Sequence, residues 1–302
     1  MNVVYSPRYH IDIGAHVFPT RKYQLVHARL LETGVIQPRD VIEPAPAPWE
    51  DLALVHTREY LAKMRDGTMT DADIAQLELP WSPEMVDGFR TMVGGTIDAA
   101  RRALASRAIV AHIGGGLHHA FANHGEGFCP FNDVAVAIRV LQRERVERAA
   151  VIDLDVHHGN GTAFIFEADS RVCTFSMHQQ HNYPMWKPRG SLDIGLADGT
   201  GDAEYLQALE HALPKVMASN PECLFYLAGA DPYEHDQLGG LRLTREGLRA
   251  RDRLVLEQAR TSGLPLAIVL AGGYARNVDD TVAIHAATIA EASSGGDEEE
   301  SG

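Results

Sequence analysis

Five short runs of Val, Ile, Leu and Ala, almost without polar alternation, constrain this chain more than any other feature. They are AIVAHI (108–113), AAVIDLDV (149–156), VCTFSM (172–177), CLFYLAG (223–229) and PLAIVLAG (265–272). Unalternating runs of this kind suit parallel strands buried on both faces. Between and around them lie amphipathic segments at 91–106, 132–148, 202–218 and 244–261, the last with Thr244 placed to cap it. Strand, helix and strand in repetition predict βαβ units and an α/β fold. Its core is a central, mostly parallel sheet with helices on both faces. The Pro-rich stretch 37–50 is too short and too early to separate two cores, so a single domain over residues 1–292 is expected. The acidic, low-complexity segment 293–302 (SSGGDEEESG) is expected to be a disordered tail.

Composition narrows the function classes. Of 302 residues, 27 are Lys or Arg and 41 Asp or Glu, a net charge of −14. Five of the acids fall in the last twelve residues, and the body remains acidic without them, which argues against direct nucleic-acid binding. Cys129, Cys173 and Cys223 are far apart and form no C-x-x-C, so neither a disulfide framework nor a cysteine-based zinc site is indicated. With no export signal and no membrane span legible, a cytoplasmic protein is expected. Phosphate-loop, dinucleotide and G-x-S-x-G signatures are also missing from the sequence.

Four of the five runs end in polar clusters: Gly114-Gly115-Gly116-Leu117-His118-His119, Asp153 through Gly161, Gly229-Ala230-Asp231-Pro232 and Gly272-Gly273-Tyr274. Ligands of open parallel sheets bind outside the carboxyl ends of the strands, so these clusters predict one shared mouth. Asp153, Asp155 and His157 are spaced by two and would share a face of an extended segment. Burying two carboxylates and an imidazole together is costly unless a cation compensates. A solvated strand end with capping aspartates is the bland alternative, but the Val and Ile around the aspartates point to burial. Asp231 could add a carboxylate. Two Asp and one His leave a coordination position open, as catalytic sites do, and suit Zn²⁺ or Fe²⁺, with Mn²⁺ conceivable. Beside such a site His118 and His119 become acid–base candidates. Asp153 and Asn160 could orient them, and Tyr274 could donate to an oxygen gaining charge. Cys129 reads as a buried wall residue rather than a thiol nucleophile.

These residues, in this order, resemble the histone deacetylase family: GGGLHHA (114–120), GFCPFNDVAVA (127–137), IDLDVHHGNGT (152–162), GADPYEHDQLGG (229–240) and AGGY (271–274). The similarity extends from VYSPRYH (4–10) through VHTREYL (55–61) to about residue 290, and it looks closest to the class IV branch and its bacterial relatives. The resemblance implies an arginase/deacetylase fold and a zinc-dependent amidohydrolase that removes acyl groups from amines by attack of metal-bound water. It matches Asp155, His157 and Asp231 to the metal ligands, and His119 to the general base. His118 with Asp153 matches the charged histidine, and Tyr274 the tyrosine that polarises the acyl carbonyl. Phe128, Gly116, Gly127 and Tyr183 fall at the substrate tunnel. A structural K⁺ would draw on Asp153, Asp155, His157, Ser176 and Met177. Arg21 matches an internal product channel. Asn160 stands where some members carry Asp. The implied substrate is an acylated lysine peptide or protein. An acylated polyamine or other small amine is the alternative, and a silent binder of acylated ligands the non-enzymatic one. An arginase-like binuclear site would need further bridging carboxylates.

Overall fold

The structure, a computed structural model, describes residues 1–294. Within them eight strands form one all-parallel sheet: β1 (Val3–Val4), β2 (Val41–Ile42), β3 (Ile109–His112), β4 (Ala149–Asp153), β5 (Val172–Gln179), β6 (Leu192–Leu196), β7 (Cys223–Leu227) and β8 (Leu266–Val269). Their order across the sheet is β2-β1-β3-β8-β7-β4-β5-β6. The ten helices are α1 (Lys22–Glu32), α2 (Trp49–Leu52), α3 (Arg58–Asp66), α4 (Asp71–Leu77), α5 (Pro83–Ser106), α6 (Asp133–Arg143), α7 (Asn160–Phe166), α8 (Asp202–Met217), α9 (Arg245–Thr261) and α10 (Val278–Ser294).

All five apolar runs are strands, and β4, β7 and β8 are buried at every position, as both-face coverage by helices requires. α5 packs on β3, β8 and α6, while α1, α10, α9 and α8 pack in succession. Three strands go beyond the sequence expectation. β1 and β2 are two residues long and carry no readable period, and β2 turns part of the Pro-rich stretch into a sheet edge. β6 alternates in burial because it is the opposite edge. The helix expected at 91–106 starts eight residues earlier, where Ser82 Oγ accepts from Met85 N and Pro83 occupies the first turn. α6 stops at Arg143, short of the expected 148, and Arg145 follows with a left-handed φ of 76°. Thr244 caps α9 as expected, its Oγ1 accepting from Gly247 N at 3.0 Å. α10 continues to Ser294, and the rest of the expected tail, 295–302, lies outside the described residues.

A buried polar brace holds the end of β7 that leads to Asp231. Arg251 is fully buried; it donates to Gly229 O (2.6 Å) and pairs with Asp252 Oδ1 (2.8 and 3.0 Å). Asp252 also accepts from Tyr226 of β7 (2.5 Å) and Thr288 of α10 (2.6 Å). Removing one partner strands the other charge in the interior. Arg251→Met is therefore expected to destabilise the domain by about 3–5 kcal/mol, read as a lowered urea midpoint. A midpoint within experimental error of wild type would refute the brace.

Candidate active site

The mouth forms where β4 and β7 end side by side. Asp155 Oδ1 accepts from the backbone N–H of His157 (2.9 Å) and lies 2.9 Å from His157 Nδ1, and its Oδ2 accepts from Gly272 N (2.8 Å). Asp231 Oδ1 accepts from Val156 N (2.9 Å), while its Oδ2 is buried without a hydrogen-bond partner, 3.5 Å from His157 Nδ1. One ligand atom each from Asp155, His157 and Asp231 falls within 4.8 Å of the others. Burial, then the neighbouring Asp155 charge, pushes the Asp231 carboxyl up to about 7. An orphaned buried oxygen, two carboxylates and an imidazole nitrogen fit a small divalent cation, and the donor set does not single out zinc. Glycine is required at 272, since a Cβ there would overlap both Asp231 Oδ2 and Asp155 Oδ2. The row of side chains expected from an extended segment is not how these residues meet. β4 ends at Asp153, and the chain bends so that Asp155 and His157 face Asp231 while Asp153 faces His118.

The two histidines occupy opposite electrostatic states. His118 Nδ1 lies 2.7 Å from Asp153 Oδ2; burial opposes its charge, but Asp153 and Asp155 outweigh that and push it up to about 9. His119 is driven well below its ordinary value by burial and then by the His118 and His157 charges. Its Nδ1 lies 2.7 Å from Asn160 Oδ1, and its Nε2 is 3.1 Å from His118 Nε2. A charged and a neutral imidazole side by side could serve as an acid and a base. The loop that carries them is tied to Asp133 at the start of α6. Asp133 accepts from Gly116 N (3.0 Å), Leu117 N (2.7 Å) and Thr96 Oγ1 (2.5 Å).

A cavity of about 180 Å³ descends to His119, His157 and Tyr274 between walls that include Phe128, Gly127, Tyr183 and Leu238. Gly127 has φ +53°, and a Cβ there would sit 2.8 Å from His119 Cδ2. Gly116, Leu117, Cys129 and Phe18 line a deeper chamber of about 20 Å³, with Phe18 stacked parallel on Phe128 at 5.9 Å. Burial and nearby carboxylates push the Tyr274 phenol well above its ordinary value, so it remains a donor, and its backbone N–H is held by Asp236 Oδ2 (2.7 Å). Cys129 is buried with its thiol pushed up by burial, as befits a wall residue. Ser176 and Met177 lie on β5, where Ser176 is in register with Asp153 of β4.

The assignment of Arg21 needs correcting. Arg21 is exposed and lines an open hollow formed by residues 10–21, whereas Lys22 is fully buried beside the site. Lys22 Nζ donates to Ala271 O at 2.7 Å and lies about 5.5 Å from the Phe18 and Tyr274 rings. The inward face of α1 carries Lys22, Val26 and Leu30, and that spacing of four could have selected Lys22 over Arg21. Phe18, Asp133, Asp236 and Leu238 also escaped sequence reasoning. Asp133, Asp236 and Leu238 lay inside quoted motifs without a role, and Phe18 carried no signal.

The family described as the Histone deacetylase domain matches residues 16–289. The chain belongs to the histone deacetylase family. It is 44% identical over 286 residues to an uncharacterized protein of Picosynechococcus, covering 94% of this chain and 95% of the relative. It is 32% identical to Histone deacetylase 2 of Arabidopsis thaliana (92% and 75% covered) and 31% identical to the acetoin utilization protein AcuC of Bacillus subtilis (80% and 68%). Among solved structures, the HD domain of HDA15 superposes with a TM-score of 0.80 at 25% identity, covering 97% of this chain and 88% of that one. An HDAC homolog complexed with SAHA superposes at 0.83 and 24% identity, covering 97% and 84%, and shares the fold. This deacetylase family fold is the one the motifs implied, and membership supports a hydrolase of the deacetylase type. No helix among the described residues is long and apolar enough to cross a membrane.

If the corner is a metal centre, the purified protein should take up one divalent ion per chain, counted by elemental analysis. Saturation at about 100 times Kd should stabilise it by roughly 2.7 kcal/mol, seen as a raised Tm. Asp231→Ala should abolish both effects, and uptake unchanged in that variant would refute the ligand assignment.

Proposed function

We propose that this protein is a metal-dependent amidohydrolase that removes acetyl groups from amines, with acetylated lysine side chains as its substrates. The observation that carries the reading is the single cavity that brings His119, His157 and Tyr274 together beneath apolar walls. Such walls suit the methylenes of a lysine, with the polar groups gathered at the far end. Asp155, His157 and Asp231 would hold zinc, or Fe²⁺, and that ion would supply a Lewis acid for the acyl carbonyl and a water acidic enough to attack it.

The chain's own groups do the rest. His119 Nε2 accepts the proton of the attacking water. His118, kept charged by Asp153, offsets the negative charge as it builds up, and the Tyr274 hydroxyl donates to the oxygen on which that charge develops. A histidine of the pair then protonates the leaving amine. The deep chamber is about the size of one water-sized group, which supports acetyl over long acyl chains. The corner of Asp153, Asp155, His157, Ser176 and Met177 is the proposed seat of a structural potassium. All three cysteines are free, which supports a reducing, cytoplasmic setting. Glu78 lines the cavity and Glu126 lies beside it on the adjoining surface, so a cationic small amine such as an acetylated polyamine is the second reading.

The test is hydrolysis of N-acyl-lysine peptides from acetyl to myristoyl, with acetylputrescine alongside and a chelator control. Chelator-sensitive turnover that is highest for acetyl is expected. His119→Ala and Tyr274→Phe should each lower kcat by about 10²–10⁴ with the fold retained. Near-wild-type turnover in both variants would overturn the mechanism. Turnover of acetylputrescine alone would favour the second reading. Metal uptake with no turnover of any substrate would leave a silent binder.

A further inference from the structure

Glu126 lies on the loop just before Gly127 and Phe128, and its backbone is clamped to Cys129 in both directions (3.2 and 3.0 Å). Its side chain is 17% exposed and gathers four polar neighbours. Asn160 Nδ2 and the Tyr183 hydroxyl donate to Oε1 at 2.8 and 2.9 Å. Gln76 Nε2 and His124 Nε2 lie 3.4 and 3.3 Å from Oε2.

A carboxylate only accepts, so Asn160 must turn its amide NH₂ toward Glu126. That leaves the Asn160 carbonyl oxygen facing His119 Nδ1 at 2.7 Å. A carbonyl also only accepts, so in neutral His119 the proton sits on Nδ1. The Nε2 lone pair is then the acceptor, facing His118 Nε2 at 3.1 Å beside the cavity. Without an acceptor-only neighbour, Asn160 could turn its NH₂ to His119 instead. That orientation favours a proton on Nε2, the form that cannot act as a base. The same Glu126 oxygen holds the Tyr183 ring edge-on to the His119 ring, 5.0 Å between centroids.

We infer that Glu126 is a positioning residue for the deacetylase site: by fixing the orientation of the Asn160 amide it selects the His119 tautomer that can accept a proton. This inference rests on the function proposed above for the site. Glu126 lies outside both the lining of the cavity and the candidate metal ligands, and it acts through Asn160.

The decisive experiment pairs Glu126→Ala with Asn160→Asp, assayed as the zinc-loaded enzyme on an acetyl-lysine peptide. Glu126→Ala should lower kcat by about 10- to 100-fold. An aspartate at 160 accepts through either oxygen and needs no neighbour to orient it. The double variant should therefore recover most of the lost kcat, although Asn160→Asp alone, with two carboxylates now face to face, should lose activity. A loop that had merely been damaged would not be rescued in this way. Glu126→Gln is the isosteric substitute if the Ala variant does not fold. Its loss should be smaller and its rescue by Asn160→Asp the same. Nitrogen-15 NMR of histidine-labelled protein gives a readout independent of turnover. Wild type should show His119 protonated at Nδ1, and Glu126→Ala should show a population protonated at Nε2. Unchanged kcat, a loss that Asn160→Asp does not restore, or identical tautomers in the two proteins would each overturn the inference. An inert wild type with the expected tautomer shift would defeat the proposed activity and leave the positioning role standing.

Discussion

Asp153, Asp155 and Asp231, three carboxylates buried where two neighbouring parallel strands end, set the terms for everything around them. Left alone, such groups would cost several kcal/mol or give up their charge. The fold answers with backbone N–H groups from residues 155, 156, 157 and 272, a charged histidine on Asp153, and a buried lysine on the Tyr274 turn. What they leave uncompensated is one oxygen of Asp231. The metal candidate, the polarity of the histidine pair and the exclusion of a side chain at Gly272 all trace back to that concentration of charge.

A second consequence concerns the histidine pair. His118 leans on a carboxylate, whereas His119 leans on an amide whose orientation is fixed one step further out. The two imidazoles are neighbours in sequence, 3.1 Å apart at their Nε2 atoms, yet their outer partners favour the charged form of one and leave the other neutral. Their difference is written in residues 35 and 41 positions away along the chain.

Much of this was legible because parallel strands advertise themselves. The runs ending at residues 113, 156, 229 and 272 are apolar and close in polar clusters, and that switch located Asp155, His157, Asp231, the histidine pair and Tyr274. Two-residue strands have no period to read, so β1 and β2 stayed hidden, as did an edge strand that is only half covered. Arg21 and Lys22 differ by one position, and only the phase of α1 tells which points inward. Glu126 was invisible for another reason. Its partners lie 34 and 57 residues away, and a hydrogen bond between side chains at that separation leaves no trace in local pattern.

The strand order also has a history in time. β8, the last strand made, sits in the middle of the sheet between β3 and β7. Until it is synthesised, β3 and β7 lack the strand that lies between them, so each leaves an edge without its neighbour. All three candidate metal ligands belong to the β4–β7 half and are present once residue 231 has emerged. Tyr274 arrives only with the closing strand. The candidate metal ligands thus all precede the phenol in the chain, and the strand that joins the two halves of the sheet is also the one that leads to Tyr274.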